Sequence, residues 1–304
     1  MSLIVYTHPD CLAHQPPAGH PERPERLEAA LRGIEQMDQV EIRDASMVDP
    51  EDLARVHGRN YLESLTALEA SGSLMNLDPD TFLGKGSLRA ARLAAGAVCS
   101  GVDQVMTDPS RAVFAVVRPP GHHAESAHAM GFCLLNSLAA GARRASDHYG
   151  LKRVAAVDFD VHHGNGTEAI LRGDARFLFV SSHQSPLYPG TGDPAQTTDS
   201  NVLNATLTAN SGSDEFRSLW TEHLLPSLDR FRPELILVSA GFDGHWRDPL
   251  AQLQLKDEDY YWIGEQLKGL ADKHASGRLV ASLEGGYDLT ALTESVLAFA
   301  EGIE

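Results

Sequence analysis

The apolar residues of this 304-residue chain fall into unbroken blocks of strand length, and that pattern constrains the fold more than any other feature. The blocks are residues 3–6, 112–117, 154–158, 176–181, 235–240 and 279–283. A strand with one wet face alternates apolar and polar residues; a continuous run predicts burial on both faces. Something must cover those faces, and the intervening segments carry helical spacing. Leu27, Leu31 and Ile34 follow Pro24-Glu25, a helix-start signal. Leu88, Ala91, Ala95, Val98, Val102 and Val105 mark a long helix, and residues 136–149 are Ala-rich. Phe216, Leu219, His223 and Leu228 follow Ser213, which is expected to be the N-cap. Tyr260, Ile263, Leu267 and Leu270 repeat at helical spacing, as do Leu292, Val296 and Phe299. The alternation predicts an α/β fold with a central, mostly parallel sheet between two helical layers. Absence of a linker or repeat predicts one domain over residues 1–304.

Composition removes several function classes. With 42% hydrophobic residues the chain can bury a large core. No apolar run approaches the roughly 18 residues of a membrane helix. Residues 1–6 lack a basic region and are not expected to form a signal peptide. The three cysteines, Cys11, Cys99 and Cys133, form no CxxC pair, so neither a disulfide framework nor a thiolate zinc site is expected. The expected setting is a reducing cytoplasm. A formal charge of −17 argues against a nucleic-acid surface, and no membrane partner is expected. A homo-oligomer is compatible with everything above. The 14 histidines are the compositional oddity.

The unusual residues follow strands. Arg118-Pro-Pro-Gly-His122-His123 comes after one predicted strand, and Asp158-Phe-Asp160-Val-His162-His163-Gly-Asn165-Gly ends another. Gly241-Phe-Asp243 and Glu284-Gly-Gly-Tyr287 follow two more. Ligands of open parallel sheets bind beyond the carboxyl ends of the strands, so four clusters would converge there. Residues two apart in extended chain share a face, which lets Asp160 and His162 grip one metal. Asp243 is the best third ligand. Such an Asp2His set suits Zn(II) and would accept Fe(II) or Co(II), leaving one position open. Asp158 lies one pleat deeper and can support the ligands from behind. His122 and His123, on a Pro-Pro-Gly turn, can both enter the crevice as base and acid. Asp158 and Asn165 offer their far nitrogens one charged and one neutral partner. Tyr287 can donate a hydrogen bond to a developing oxyanion. Gly131-Phe132 and the loop around Tyr188 could wall a narrow channel. No Ser or Cys nucleophile motif competes, so the parts predict a metal-assisted hydrolase.

Carrying R-P-P-G-H-H-A, G-F-C-x-x-N, D-x-D-V-H-H-G-N-G-T, P-G-T-G, A-G-F-D and L-E-G-G-Y, the chain resembles the zinc-dependent histone deacetylase family and its bacterial relatives. The resemblance implies the arginase–deacetylase fold, with Asp160, His162 and Asp243 as zinc ligands. It implies His122 and His123 as the tandem pair, His123 the general base and acid, and Tyr287 as the carbonyl-polarising residue. Gly131, Phe132 and Tyr188 would line the acyl-lysine channel, Tyr188 standing where Phe is common. Arg26 matches an arginine of an internal cavity behind the metal. Asp158, Asp160, His162, Ser181 and Ser182 match a potassium site, and Leu171, Asp174, Phe177 and Asn201 a second one. Asn165 and the Phe of G-F-D point to the class II branch.

The expected reaction is hydrolysis of an N-acyl-lysine amide, in a protein, peptide or small acylated amine, releasing acetate or another short acid. Leu250 matches a gatekeeper position where a polyamine-selective relative has Glu, which favours acyl-lysine over acetylpolyamines. Acetylpolyamine hydrolysis is the alternative, favoured only by the negative charge. A catalytically silent module binding acyl-lysine or a partner protein would require a broken ligand or a missing Tyr287, and neither is seen. Trp246, in His245-Trp246-Arg247, is expected to narrow or reshape the mouth.

Overall fold

In the computed structural model, which describes residues 3–304, a single large sheet organises the chain. Met1 and Ser2, the start of the segment read above for a leader, lie outside it. The strands are β1 (Leu3–Thr7), β2 (Val40–Asp44), β3 (Met75–Asp78), β4 (Thr81–Leu83), β5 (Val113–Ala115), β6 (Val154–Asp158), β7 (Phe177–Gln184), β8 (Val202–Leu207), β9 (Leu235–Ala240) and β10 (Leu279–Leu283). Among the described residues, eight form one sheet in the order β2-β1-β5-β10-β9-β6-β7-β8, and β3 and β4 make a small hairpin. Every neighbouring pair in the large sheet is parallel. β5, β6, β7, β9 and β10 are buried along their whole length, which is why their sequences do not alternate. This is the central, mostly parallel sheet that the apolar blocks predict.

The order of strands builds the site. β5 and β6 are consecutive in the chain's large sheet but are separated in space by β10 and β9. The four strands that precede the four polar clusters are therefore contiguous. Register keeps their ends level: Asp158 pairs with Ser239 and Ser181, Leu283 with Ala240, and Ser282 with Ala115. Beneath, Phe159 points away from the site into Phe242, Tyr260 and Phe299, with ring centroids 5.3–6.1 Å away. Burying these rings anchors the strand end that carries Asp158 and Asp160.

Several expectations shift in detail. The block at 112–117 keeps only three ladder residues, because it bends into the Arg118-Pro-Pro-Gly turn. Ser213 is the first helical residue rather than the N-cap. Its hydroxyl donates to Asp259 Oδ2 at 2.6 Å, and Glu215 returns to accept from the Gly212 N–H instead. β2 and β8 escaped notice for different reasons: Val40–Asp44 reads Val-Glu-Ile-Arg-Asp and is half exposed, whereas in the largely buried Val202–Leu207 the polar Asn204 breaks the apolar run. Helices Glu25–Ile34, Ser87–Thr107, Ser137–Asp147, Asp257–His274 and Leu289–Ile303 lie where the periodicity placed them. Asn136 caps the third of these by accepting from the Ala139 N–H.

His57 ties the outer helices to the site loops. Its Nδ1 meets the Glu125 carbonyl at 3.0 Å and its Nε2 accepts from the Asn136 N–H at 2.9 Å. The Nε2 bond requires the neutral ring, because a protonated imidazole has no acceptor. Burial pushes its pKa down to about 4, against the backbone bonds that raise it. Because the folded pKa lies below the unfolded one, the unfolded chain binds more protons between them. The contribution of His57 is thus complete above pH ~6.5 and is lost as pH falls toward 4, by roughly 3 kcal/mol. We expect the urea midpoint of the wild type to fall more steeply from pH 7.5 to 4.5 than that of His57→Gln. Parallel pH profiles would contradict this.

Candidate metal centre and active site

Asp160, His162 and Asp243 are buried, and one donor atom of each lies within 4.8 Å of the others. His162 Nδ1 is 3.1 Å from Asp160 Oδ1 and 3.0 Å from Asp243 Oδ2. Asp160 and His162 meet in the bend that follows β6, where the His162 N–H also donates to Asp160 Oδ1, rather than on extended strand as their spacing predicts. Glycine makes the close approach feasible. A Cβ on Gly285 would stand 2.1 Å from Asp243 Oδ2 and 2.6 Å from Asp160 Oδ2. Two carboxylates and an imidazole with no guanidinium or ammonium between them need a cation. Burial lowers the pKa of His162, but its bonds to Asp160 and Asp243 outweigh this and hold it up at about 10. Three buried acceptors converge on one point, so the donor set fits a metal of borderline hardness.

The histidine pair sits beside this cluster, with ring centroids 4.0 Å apart. His122 Nδ1 donates to Asp158 Oδ2 at 3.0 Å, and His123 Nδ1 lies 2.8 Å from Asn165 Oδ1. The two environments differ in charge. Burial disfavours protonated His122, but Asp160 and Asp158 overcome it and raise its pKa to about 10. Burial, then the neighbouring His122 and His162, push His123 well below the usual histidine range. The pair therefore separates into one charged and one neutral ring.

A cavity of about 220 Å3 opens above the cluster, lined by Asp80, His123, Gly131, Phe132, His162, Leu187, Tyr188, Leu250 and Tyr287. The Tyr188 ring stands at 90° to His123 and the Phe132 ring at 82° to Tyr287. Trp246 is half exposed and stacks on the Arg247 guanidinium, 4.9 Å from its ring centre, so it stands outside this lining. Arg26 is buried behind Tyr287, its guanidinium carbon 4.8 Å from the ring centre. It donates to the Gly286 and Glu284 carbonyls, both at 2.6 Å. Ser181 and Ser182 are buried in β7 next to Asp158. The Asn201 side-chain amide donates to the Leu171 and Asp174 carbonyls, which brings these residues together at the start of β7. His163 turns away from the cluster toward Thr191 and Glu168, both at 2.8 Å. Cys133 is buried and its thiol donates to the Gly131 carbonyl, which leaves it no nucleophilic role.

Three carboxylates escaped sequence reading. Glu284 Oε2 accepts from the N–H groups of Gly121 and His122, and so holds the histidine loop. Asp248 accepts from Tyr287 N–H at 2.7 Å and from Leu250 N–H at 2.9 Å. Asp80 lines the cavity from the β3–β4 hairpin. Glu284 and Asp248 lay inside quoted motifs, L-E-G-G-Y and Asp-Pro-Leu, but nothing local distinguishes a loop-holding acid from a surface one. Asp80 gave no signal.

Residues 20–303 match the family profile described as the histone deacetylase domain. The chain is 38% identical to the histone deacetylase-like amidohydrolase of Pseudomonas aeruginosa over 90% of its own length and 74% of that protein's. It is also 38% identical to type-2 histone deacetylase 2 of Dictyostelium discoideum, covering 95% of this chain but only a fifth of that longer protein. The crystal structure of the HDA15 HD domain superposes with a TM-score of 0.92 at 30% identity, covering 99% of this chain and 88% of that one. The chain belongs to the histone deacetylase family. It is a hydrolase of the deacetylase and amidohydrolase type, a family that works with a metal cofactor on acylated substrates.

Gly131 is the tightest point of the cavity wall. Its φ is +56°, and a Cβ there would lie 2.3 Å from His123 Cδ2. Gly131→Ala should displace His123 and cut kcat/KM by at least about tenfold, with the metal content unchanged. Wild-type turnover in that variant would show the wall to be soft.

Proposed function

We propose that the protein is a zinc-dependent deacylase in one domain, hydrolysing N-acyl-lysine in a protein, peptide or small amine. The observation that carries this is the convergence of Asp160, His162 and Asp243 with the His122–His123 pair at the foot of an aromatic-lined cavity. Asp160, His162 and Asp243 would hold Zn(II), with Fe(II) as a workable substitute. When bound, such an ion polarises an acyl carbonyl and lowers the pKa of water toward ~7. His123, neutral, takes the proton of the attacking water and returns it to the leaving amine. His122, kept charged by Asp158, steadies negative charge beside it. The Tyr287 hydroxyl donates to the carbonyl oxygen as it becomes tetrahedral. Phe132 and Tyr188 flank the alkyl stem and keep water from it, Gly131 gives room, and Leu250 offers an apolar lip. Arg26 supports Tyr287 from behind. Asp158, Asp160, His162, Ser181 and Ser182 would hold a potassium ion. The reaction needs no nucleic acid or membrane, and among the described residues no helix is long and apolar enough to cross one.

A second reading is favoured by Asp80. An acetylpolyamine keeps a free ammonium, and this carboxylate lines the cavity. Rates on an acetyl-lysine peptide and on acetylputrescine decide between the two. We expect the peptide to be faster, chelation to abolish turnover, and zinc to restore it. Activity that survives full removal of the metal would sink the metal assignment, and faster acetylputrescine would select the second reading. Tyr287→Phe should keep its zinc and lose roughly 10²–10³ in kcat, the usual cost of one oxyanion donor. Unchanged kcat would remove Tyr287 from the chemistry.

A further inference from the structure

The side-chain amide of Asn165 joins two networks. Its Oδ1 lies 2.8 Å from His123 Nδ1, and its Nδ2 donates to Glu125 Oε1 at 2.9 Å. Which end faces which partner decides where His123 carries its proton. An ionised carboxylate only accepts hydrogen bonds, so Glu125 requires the NH2 end. The remaining neighbours of Nδ2 are also acceptors, Met130 Sδ at 3.4 Å and the His123 carbonyl at 3.5 Å, and both are weak. With the NH2 end claimed, the oxygen must face His123. An oxygen there demands a proton on Nδ1, which leaves the Nε2 lone pair free.

We propose that Glu125 is a positioning residue that selects the base-competent tautomer of His123 through Asn165. The proposal rests on the reading of His123 as general base. The backbone is built for this task. The Glu125 N–H donates to the His128 carbonyl at 3.0 Å, and its carbonyl meets His57 Nδ1 at 3.0 Å. Asn165 is buried at the start of helix Asn165–Leu171, its own N–H bonded to the His163 carbonyl at 2.9 Å. These bonds fix the backbone of both partners. The contrast with His122 gives the arrangement its sense. Asp158 touches that ring directly and holds its charge. The Glu125 charge reaches His123 only through a neutral amide, so it orients the ring without pinning a second proton on it.

The test inverts the polarity. Lysine donates and cannot accept, so Glu125→Lys should turn the Asn165 amide over and move the His123 proton to Nε2. A wrong tautomer can cost up to about 10⁴ in kcat, and we expect a loss of roughly 10³ in kcat/KM on an acetyl-lysine peptide. Asp at position 165 accepts on both sides, and the ammonium introduced at 125 offsets the charge that would otherwise favour imidazolium, so Glu125→Lys combined with Asn165→Asp should recover to within about tenfold of the wild type. Glu125→Gln can still present an oxygen and should stay within a few-fold, whereas Glu125→Ala should lose about tenfold. Nitrogen NMR of the His123 ring in zinc-loaded protein should show Nδ1–H in the wild type and Nε2–H in Glu125→Lys, with equal zinc content. A Glu125→Lys variant within threefold of wild type, or a double variant that folds, holds zinc and shows no recovery, overturns the proposal. If Glu125→Lys does not fold, equal rates for Glu125→Ala and Glu125→Gln overturn it instead. His123→Ala separates the two layers. If that variant is inactive while Glu125→Lys is unaffected, only the positioning role falls; if it is active, the base assignment itself falls.

Discussion

The rest of this structure depends on a concentration of buried negative charge at one end of the sheet. Asp158, Asp160, Asp243 and Glu284 all show no solvent exposure. Bringing ionised carboxylates out of water is costly unless each is hydrogen-bonded or paired. The backbone supplies much of what they need. Asp158 accepts from the Asp160 N–H, Asp160 from the N–H groups of His162 and Gly285, and Asp243 from the Val161 N–H. Glu284 accepts from Gly121 and His122. Each bond crosses from one loop to another or tightens the loop that carries the acid. The acids are therefore both the chemistry and the clasps that hold four loops together.

The remaining charge calls for cations, and the molecule answers in two places. His162 stands among its carboxylates where a metal is wanted, and His122 bridges toward Asp158 and Asp160. Behind them a second charged cluster closes the back of the site. Arg118 donates to both oxygens of Glu22 at 2.6 and 2.7 Å, Arg26 reaches the same acid, and His14 lies 3.3 Å from it. The Arg118 pairing is two-pronged, and its remaining donors reach the Cys11 and His14 carbonyls, so the charge is well matched. Burial opposes ionisation of Glu22, and Arg118 and His14 more than offset it, holding the carboxyl well below its ordinary range. Arg26 links this layer to the Glu284 and Gly286 carbonyls and to the Tyr287 ring. The tyrosine thus rests on a polar foundation rather than on an oily one.

The two histidines show how environment divides the labour of identical side chains. They are adjacent in sequence and 4.0 Å apart, yet one faces a carboxylate and the other an amide. The direct carboxylate contact favours imidazolium, and the amide leaves the ring beside it neutral. The same principle places Asp248 under Tyr287 and Leu250, where one buried acid aligns a backbone on each side.

Much of this was legible in the sequence because it follows from short-range rules. Unbroken apolar blocks imply strands buried on both faces, and the Asp-x-Asp-x-His run stands where one of them ends. Asp243, His123 and Tyr287 could be nominated because each follows such a block. Edge strand β2 was missed because solvent lets polar residues into it, and β8 because its buried Asn204, bonded to Glu168, interrupts the apolar run. The tertiary structure alone decided the strand order, which makes β5, β10, β9 and β6 neighbours although they are far apart in the chain. It also decided the pairings between remote residues: Asp80 in the cavity, Asp248 under Tyr287, Glu125 on Asn165 and the Asn201 amide on two carbonyls. Sequence by itself determined which residue types could do the chemistry. Which acid faces which donor depends on three-dimensional proximity and on hydrogen-bond polarity, and neither leaves a periodic trace along the chain.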